Sequence, residues 1–224
     1  MPIPPDRYKF VQGLNVNEHK TELHYGEWER YLREKKASYL LLQIEAIKSV
    51  LASPANRADV VDFYRNEDIA KETKFIAAMI WGYSPTAGGR RDGRGPYRVM
   101  KMFSDPAKAA TAIGNVDITT RDDIVRSYES LDDALDRCGP NFFTKHLYFL
   151  GKSTNIEKYP LIFDDRVARG ILKLSASNHD WMEMVTASAM RSPEAYMLYL
   201  AFAFEEADKI HCNADHIEYF LFGL

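Results

Sequence analysis

Residues 138–171 decide the fold of the chain and read CGPNFFTKHLYFLGKSTNIEKYPLIFDDRVARGI. Their first part predicts a helix over 141–150 whose side chains are mostly apolar on every face, with Lys145 among them. A helix that is apolar all round is normally buried against other helices. The last part predicts a helix over 165–174, and Asp164 stands directly before it. The stretch therefore predicts a helical core that contains an amine and a carboxylate.

The remainder of the chain shows the same helical periodicity. Apolar residues recur at steps of three and four from residue 27 to residue 51, which predicts one helix over 27–51. Thr120 and Ser130 each precede an aspartate by three residues, as helix N-caps do, and they predict helices over 120–127 and 130–137. Further helices are predicted over 54–64, 67–81, 96–103, 105–113, 179–188, 193–210 and 213–222. Because no segment shows a convincing strand period of two, the predicted fold class is all-α.

Composition and charge limit the functions that the chain can have. Its net charge of −3 is not that of a strongly basic nucleic-acid binder, so any contact with DNA must come from a local patch. Cys138 and Cys212 lie far apart and form no zinc or disulfide pattern, which fits a reducing cytoplasm. The chain shows no signal segment and no apolar run long enough for a membrane. We expect a cytoplasmic monomer without metal or cofactor, with an N-terminal arm over 1–26 and one domain over 27–224.

Lys145 is an unusual residue for the middle of an apolar helix. One interpretation is that its stem packs in the core while its ammonium group reaches water. The other interpretation uses the burial, because removal from water and the positive end of the helix dipole both disfavour the charged form. A neutral amine is a nucleophile for the anomeric carbon of a sugar. The residues alone leave both interpretations open.

Asp164 precedes a helix whose buried stripe is predicted to be Val167, Ile171 and Leu174. Its simplest interpretation is a helix N-cap. Amide donors at the start of a helix also hold a carboxylate ionised and fixed. Such a carboxylate stabilises an oxocarbenium ion or orients an attacking amine, so the two interpretations are compatible. Asp165 lies one residue inside the helix and is expected to point elsewhere.

Four short motifs of the chain resemble a known family of enzymes. They are residues 144–145, TK; residues 163–169, FDDRVAR; residues 81–83, WGY; and residues 93–98, GRGPYR. Together they resemble the helix-hairpin-helix DNA glycosylase superfamily, and within it the bacterial 8-oxoguanine glycosylase (OGG)-like proteins.

The resemblance implies both a fold and an activity. The fold is a two-lobed helical glycosylase fold with a cleft between the lobes. In it Lys145 is the Schiff-base nucleophile of a glycosylase and strand-nicking lyase, and Asp164 is the stabilising carboxylate. The implied substrate is DNA that contains 8-oxoguanine or another damaged or modified base, a hypermodified base of phage DNA included. Residues 137–143, RCGPNFF, keep one glycine of the usual Leu-Pro-Gly-Val-Gly hairpin, so the predicted helix-hairpin-helix is degenerate.

Several cations near these motifs are candidates for contact with the DNA backbone. Residues 88–98 are the densest basic stretch of the chain. Glycines let a backbone approach a phosphate closely, and arginines hydrogen-bond its oxygens. A solvated loop is the alternative interpretation of this stretch. The candidates for phosphate contact are Arg90, Arg91, Arg94, Arg98, Lys152, Arg166 and Arg169.

Aromatic residues are the candidates for a base pocket, because a glycosylase holds its everted target base between aromatic or apolar surfaces. These candidates are Trp81, Tyr83, Phe142, Tyr219 and Phe222. For each of them, packing in the core is the alternative interpretation. His146, next to the lysine, is expected to be structural or to contact a phosphate.

Three functions therefore compete for this chain. The first is a DNA glycosylase with Lys145 and Asp164 in the chemistry. The second is a DNA-binding module without catalysis, built on a decayed hairpin fold. The third is a helical interaction protein that uses the apolar segments 202–204 and 219–222. An amine in an apolar helix favours the enzyme, because neither of the other functions requires one.

Overall fold

The computed structural model describes residues 2–83, 94–174 and 192–224, except for the side chain of Arg94. In these ranges a short 3₁₀ turn, Pro5–Arg7, precedes twelve α-helices. The helices are α1 Tyr8–Gln12, α2 Tyr25–Glu34, α3 Ser38–Val50, α4 Arg57–Arg65, α5 Lys71–Gly82, α6 Arg94–Met102, α7 Pro106–Gly114, α8 Arg121–Ala134, α9 Pro140–Ser153, α10 Asp165–Leu174, α11 Pro193–Ile210 and α12 Ala214–Gly223.

The prediction of an all-α fold is confirmed. Over the described ranges the chain forms no β-strand, and its only strand-like pairing there is a bridge between Thr21 and Ala55. None of the described helices is long and apolar enough to cross a membrane. The helix predicted over 179–188 lies outside the described residues.

Two predicted helix boundaries are wrong, each for a local reason. The helix predicted over 27–51 is two helices, because Lys36 takes a left-handed conformation with φ 55° and ends α2. The backbone N–H of Ala37 then donates to the carbonyl of Leu32 at 2.9 Å, a bond typical of helix C-termini. Conversely, the helices predicted over 120–127 and 130–137 are the single helix α8, whose periodic buried stripe continues through Leu131.

Helix α9 lies at the centre of the described core and packs against α4, α5 and α8. Nine of its fourteen residues are buried, on every side of the helix. Burial on all sides confirms the prediction made from its apolar composition. Lys145 is therefore carried by one of the most enclosed helices of the protein.

Helices α10 and α12 pack together more closely than ordinary side chains would allow. A Cβ atom on Gly170 would collide with the backbone carbonyl of Leu221, so a glycine is required at this contact. The close approach fixes the axis of α10 against α12. It thereby fixes Asp164, which stands at the start of α10.

The N-terminal residues are packed onto the helical body. Ile3 and Val11 are fully buried, and α1 contacts α11 and α12. The backbone N–H of Ile3 donates to the Glu206 carboxylate at 2.8 Å. Further along, Thr21 and Ala55 exchange backbone hydrogen bonds, which brings the preceding segment across the start of α4.

Candidate active site

Lys145 lies in the second turn of α9, enclosed by protein. The residue is 6% exposed, and its Nζ donates to the carbonyl of Asn141 at 2.5 Å. The same Nζ lies 3.4 Å from Oδ2 of Asp164. A Cβ atom on Gly82 would lie 2.5 Å from Cδ of the lysine, so the end of α5 leaves the space that the lysine stem occupies. The ammonium group is thus directed at a carboxylate.

Asp164 combines the geometry of a helix cap with a charged contact. Its Oδ1 accepts from the backbone N–H groups of Arg166 at 3.0 Å and Val167 at 3.2 Å, and its Oδ2 faces Lys145. Burial alone would raise the pKa of the Asp164 carboxyl, but the lysine charge and the two backbone donors outweigh it and leave the pKa below its ordinary value. The carboxylate is therefore ionised and held in one orientation.

The neighbouring aspartate serves a different residue. Oδ1 of Asp165 accepts from the side-chain amide of Asn141 at 2.8 Å. Because the carbonyl of Asn141 accepts from Lys145, the Asn141 residue connects the start of α9 with the start of α10. Asp165 thus positions a neighbour of the amine and makes no bond to the amine itself.

Lys145 and Asp164 open onto a cleft of about 450 Å³. Four of the five aromatic residues predicted for a base pocket line it, namely Trp81, Tyr83, Phe142 and Phe222. Tyr219 is not part of the lining, but its ring is parallel to that of Phe222 at 6.3 Å. The structure thus brings most of the predicted aromatic residues together around the lysine and the aspartate.

One rim of the cleft is a stack of three planar groups. The rings of Tyr83 and Phe142 lie 4.6 Å apart and nearly parallel. The Arg98 guanidinium lies 5.1 Å from the Phe142 ring and donates to the Tyr83 hydroxyl at 3.4 Å. Burial raises the pKa of the Tyr83 hydroxyl, so this group stays protonated. The rim is therefore a rigid aromatic surface that carries one positive charge.

A buried ion pair, Arg57 with Glu218, forms another part of the lining. The guanidinium makes two hydrogen bonds to the carboxylate, at 2.5 and 3.1 Å. It also lies within 6 Å of the rings of Trp81, Tyr148 and Tyr219. Burial disfavours the charged guanidinium, yet the Glu218 carboxylate raises the pKa of Arg57 above its ordinary value. Sequence patterns could not have found this pair, because its residues are 161 positions apart.

His19 and Thr21 also line the cleft and were missed by the sequence analysis. Both belong to residues 1–26, which were predicted to be an arm. The sequence gives no signal for them, because four of the five residues from His19 to Leu23 are polar and the alternation of buried and exposed side chains appears only in the structure.

The predicted DNA contacts on α10 lie beside the cleft. Arg166 lines its mouth, and its guanidinium lies 4.8 Å from the ring of Phe222. Arg169 follows one turn later on the same helix and is exposed. Arg98 lies near the same cleft, because its guanidinium is 5.1 Å from the ring of Phe142, which lines it.

The other predicted DNA contacts are placed differently. Lys152 lies two turns beyond Lys145 on α9, where its ammonium binds the buried carboxylate of Asp215 at 3.0 Å over the ring of Tyr159. It lines a separate hollow of about 190 Å³ and not the cleft. Arg94 begins α6, and its side chain is outside the described atoms. Arg90 and Arg91 lie outside the described residues.

Residues 135–139 connect α8 with α9, and an arginine among them takes a left-handed conformation. Arg137 has φ 59°, in the left-handed region that favours glycine. Gly139 is extended and acts as the N-cap of α9 without any side-chain cap. The single glycine seen in the sequence is thus not the residue that makes the left-handed turn.

His146 is a structural residue, as one of its two predicted roles proposed. It is 2% exposed, and its Nδ1 is 2.8 Å from the hydroxyl of Tyr64. Burial, together with the smaller effect of the Lys71 and Lys74 charges, lowers the pKa of His146 to about 3. The imidazole is therefore neutral and enclosed in the core, where it contacts the Tyr64 hydroxyl.

The arrangement of the cleft suits chemistry at a sugar carbon. It presents an amine, an ionised carboxylate and flat apolar surfaces within one enclosure. An amine can form a covalent bond to an anomeric carbon, and a fixed carboxylate stabilises positive charge that develops there. Over the described residues, no three His, Cys, Asp or Glu side chains are grouped so that they could hold a metal ion.

Comparison with known proteins assigns the chain to a family. Residues 14–222 match the family model described as "Putative 8-oxoguanine DNA glycosylase OGG-like protein". The chain belongs to this OGG-like family. The resemblance seen in the sequence is thereby confirmed, and the family makes the protein an enzyme of the DNA glycosylase kind with DNA as its substrate. The chain matches no curated protein and no solved structure.

Proposed function

We propose that this OGG-like protein is a bifunctional DNA glycosylase and abasic-site lyase, with 8-oxoguanine as its first candidate substrate. The observation that carries the proposal is the contact of 3.4 Å between the Lys145 amine and the Asp164 carboxylate inside an aromatic cleft. A snorkelling lysine would reach bulk water, whereas this side chain is 7% exposed and is aimed at a carboxylate.

In the proposed reaction the target nucleotide is everted into the cleft, where its base lies against the aromatic surfaces. The bond between the base and C1′ of the sugar breaks, its electron pair leaves with the base, and the base gains a proton. The Asp164 carboxylate stabilises the positive charge that develops on the sugar. Nζ of Lys145 loses a proton and forms a bond to C1′.

The lyase step follows from the same covalent bond. The lone pair of Nζ then forms a double bond to C1′ as the C1′–O4′ bond breaks and O4′ takes a proton, which gives a protonated Schiff base between Lys145 and the opened sugar. Loss of a proton from C2′ then expels the 3′ phosphate and nicks the strand. Hydrolysis of the Schiff base returns the free amine. Water is the only further reactant in this sequence.

The resting contacts of Lys145 support this use of the amine. Its Nζ is held by the carbonyl of Asn141 and by Asp164, so it is already fixed inside the cleft before DNA arrives. Fixing a nucleophile in this way lowers the entropic cost of the reaction. Both contacts are with oxygens that can release the amine when the sugar takes their place.

Trapping with borohydride tests the role of Lys145. Borohydride reduces a Schiff base, so the wild type incubated with a duplex containing 8-oxoguanine or an abasic site should yield a covalent protein–DNA adduct. Lys145→Gln should yield none. The control is Lys158→Gln, since Lys158 is exposed, follows α9 and does not line the cleft.

Two outcomes would overturn the proposal. If Lys145→Gln still forms the adduct, the nucleophile is another residue. If the wild type binds duplex DNA in a salt-dependent manner but cleaves neither substrate, the chain is the DNA-binding module without catalysis. A screen of duplexes with other modified bases, scored by release of free base, separates a different substrate from a lack of activity.

A further inference from the structure

One wall of the cleft is an extended segment, residues 18–23, to which the proposed reaction gives no role. Lys20 and Glu22 are exposed, whereas His19 is half-buried and Thr21 and Leu23 are buried. In an extended chain alternate side chains share one side. His19 and Thr21 therefore face the same way, and both line the cleft.

The segment is held firmly beside the cleft. The backbone N–H of Thr21 donates to the carbonyl of Ala55 at 2.8 Å, and the N–H of Ala55 donates back at 3.0 Å. The N–H of Leu23 donates to the hydroxyl of Ser53 at 2.9 Å. A group that recognises a ligand needs such a fixed position, because an unrestrained side chain would lose entropy on binding.

The imidazole of His19 stands on edge between two of the pocket aromatics. Its ring centre is 6.1 Å from that of Trp81 and 5.8 Å from that of Phe222, with both pairs edge to face. Burial lowers the pKa of His19, and the charges of Arg57 and Arg166 lower it further, which favours the neutral ring. A neutral imidazole carries one donor and one acceptor nitrogen.

The polar side-chain atoms of His19 and Thr21 are not bound to any other described residue. The two imidazole nitrogens and the hydroxyl make no hydrogen bond or ion pair in the described part of the chain. The indole N–H of Trp81, by contrast, donates to the carbonyl of Ala55 at 3.2 Å. Two polar side chains that are fixed, uncommitted and directed into the cleft can bond a ligand there.

The carboxylates of the described lining already have hydrogen-bond or charged partners. Glu218 accepts two hydrogen bonds from Arg57, Asp164 faces Lys145, and Asp165 accepts from Asn141. Arginine and lysine can only donate hydrogen bonds. Among the described residues of the lining, His19, Thr21 and the side-chain oxygen of Asn141 can still accept one, and the first two lie together on the segment 18–23.

An acceptor is what recognition of an oxidised purine requires. In 8-oxoguanine N7 carries a hydrogen next to the added oxygen O8, whereas N7 of guanine is itself an acceptor. An acceptor at this edge bonds the N7 hydrogen of the oxidised base, and a donor beside it bonds O8. We propose that residues 18–23 form the base-reading wall, where His19 and Thr21 hydrogen-bond the edge of an everted 8-oxopurine.

This inference rests on the proposed function. An abasic substrate distinguishes failure of the inference from failure of the proposed function. An abasic duplex has no base to read, so the wall should matter for base release and not for nicking at an abasic site. His19→Phe keeps an aromatic ring between Trp81 and Phe222, and Thr21→Val keeps the shape of the threonine. Both replace the polar atoms by carbon. Glu18→Ala, an exposed change in the same segment outside the cleft lining, is the matched control.

Single-turnover rates are measured on a duplex with 8-oxoguanine opposite cytosine and on the same duplex with an abasic site. His19→Phe and Thr21→Val should each slow release of 8-oxoguanine about tenfold, the effect of one lost hydrogen bond to a base. Nicking of the abasic duplex should stay within about twofold of the wild-type rate for both variants. His19→Gln, which restores a donor and an acceptor, should recover most of the lost rate.

The inference is overturned if both variants release 8-oxoguanine at the wild-type rate. It is also overturned if they slow abasic nicking as much as base release, because the segment would then support the fold and not the reading of a base. A wild type that acts on neither duplex contradicts the proposed function instead. A wild type that nicks abasic DNA but spares 8-oxoguanine contradicts the assignment of the 8-oxopurine.

Discussion

Two ion pairs face the same cleft and are built in different ways. Arg57 and Glu218 share two hydrogen bonds, with side chains 4% and 0% exposed. Lys145 and Asp164 share one longer contact of 3.4 Å, and the Asp164 side chain is 18% exposed. The second oxygen of Asp164 is bound to backbone N–H groups and not to its partner cation.

The difference separates a structural pair from one that can react. A buried pair needs good hydrogen-bond geometry to repay its desolvation, and a guanidinium, which stays protonated, has no lone pair for chemistry. An amine at the edge of a cleft can exchange its carboxylate for a sugar carbon. The comparison therefore assigns Arg57–Glu218 to stability and Lys145–Asp164 to the proposed reaction.

The largest expected effect breaks the structural pair. Arg57→Met leaves the Glu218 carboxylate buried without its partner and should lower the free energy of unfolding by about 3–5 kcal/mol. The double variant Arg57→Met, Glu218→Leu removes both charges and should recover much of this loss. Urea unfolding measures both values. A loss below about 1 kcal/mol in the single variant would show that the pair is not structural.

A smaller expected effect concerns the reactive pair. Asp164→Asn should slow base release about 100-fold, because the side chain keeps its shape and loses the charge that faces the sugar. Asparagine caps a helix as well as aspartate does, so the free energy of unfolding should fall only by about 1 kcal/mol, for the lost charged contact with Lys145. Single-turnover base release and duplex binding are measured together. Unchanged base release would leave Asp164 with the role of a cap alone.

The resting position of the Lys145 amine can be tested by filling the space that its side chain occupies. Gly82→Ala would place a Cβ 2.5 Å from Cδ and 2.7 Å from Cε of Lys145, so the lysine stem must shift. We expect borohydride trapping to slow about tenfold while stability stays within about 1 kcal/mol. Gly114→Ala is the control, because a Cβ there would meet nothing within 4 Å at the end of α7. Equal trapping by both variants would contradict the resting position of Lys145.

The smallest expected effect is a change of the free energy of unfolding with pH. It arises from His146, which lies in the core and does not line the cleft. The pKa of His146 is about 3 in the folded protein and 6.5 as its ordinary value, so below pH 6.5 the unfolded chain binds a proton that the folded chain does not. The free energy of unfolding should therefore fall by roughly 1 kcal/mol between pH 7 and pH 5.5 on account of this residue. His146→Phe should lose less stability over this range than the wild type. An identical dependence on pH in both proteins would disprove the contribution.

Features that depend on near neighbours in the chain could be predicted from the sequence. The cap formed by Thr120 and Asp123, and the start of α11 at Ser192, need only residues three positions apart. The burial of α9 follows from its own composition. The break after Lys36 could not be predicted in this way, because a lysine in the left-handed region leaves no pattern in the sequence.

Features that depend on residues far apart in the sequence are determined by tertiary packing. Lys152 was predicted to contact DNA because it is basic and follows the lysine helix, yet its ammonium binds Asp215, 63 positions away. Phe222 and Tyr219 were proposed together for a base pocket, and only Phe222 lines the cleft. The direction of a side chain on a helix fixes its face, but which partner meets that face depends on the whole fold.

By itself, the sequence determined that the protein is helical, which helix is enclosed, and that an amine and a carboxylate stand at the starts of consecutive helices. Helical periodicity and helix caps involve residues only a few positions apart, so the sequence shows them directly. Only the tertiary structure decided that His19, Thr21, Arg57 and Glu218 meet around that amine. Their convergence depends on the packing of α4, α9, α10 and α12 and on a segment that no helix contains. Such packing joins residues that are far apart in the sequence, so no local pattern predicts it.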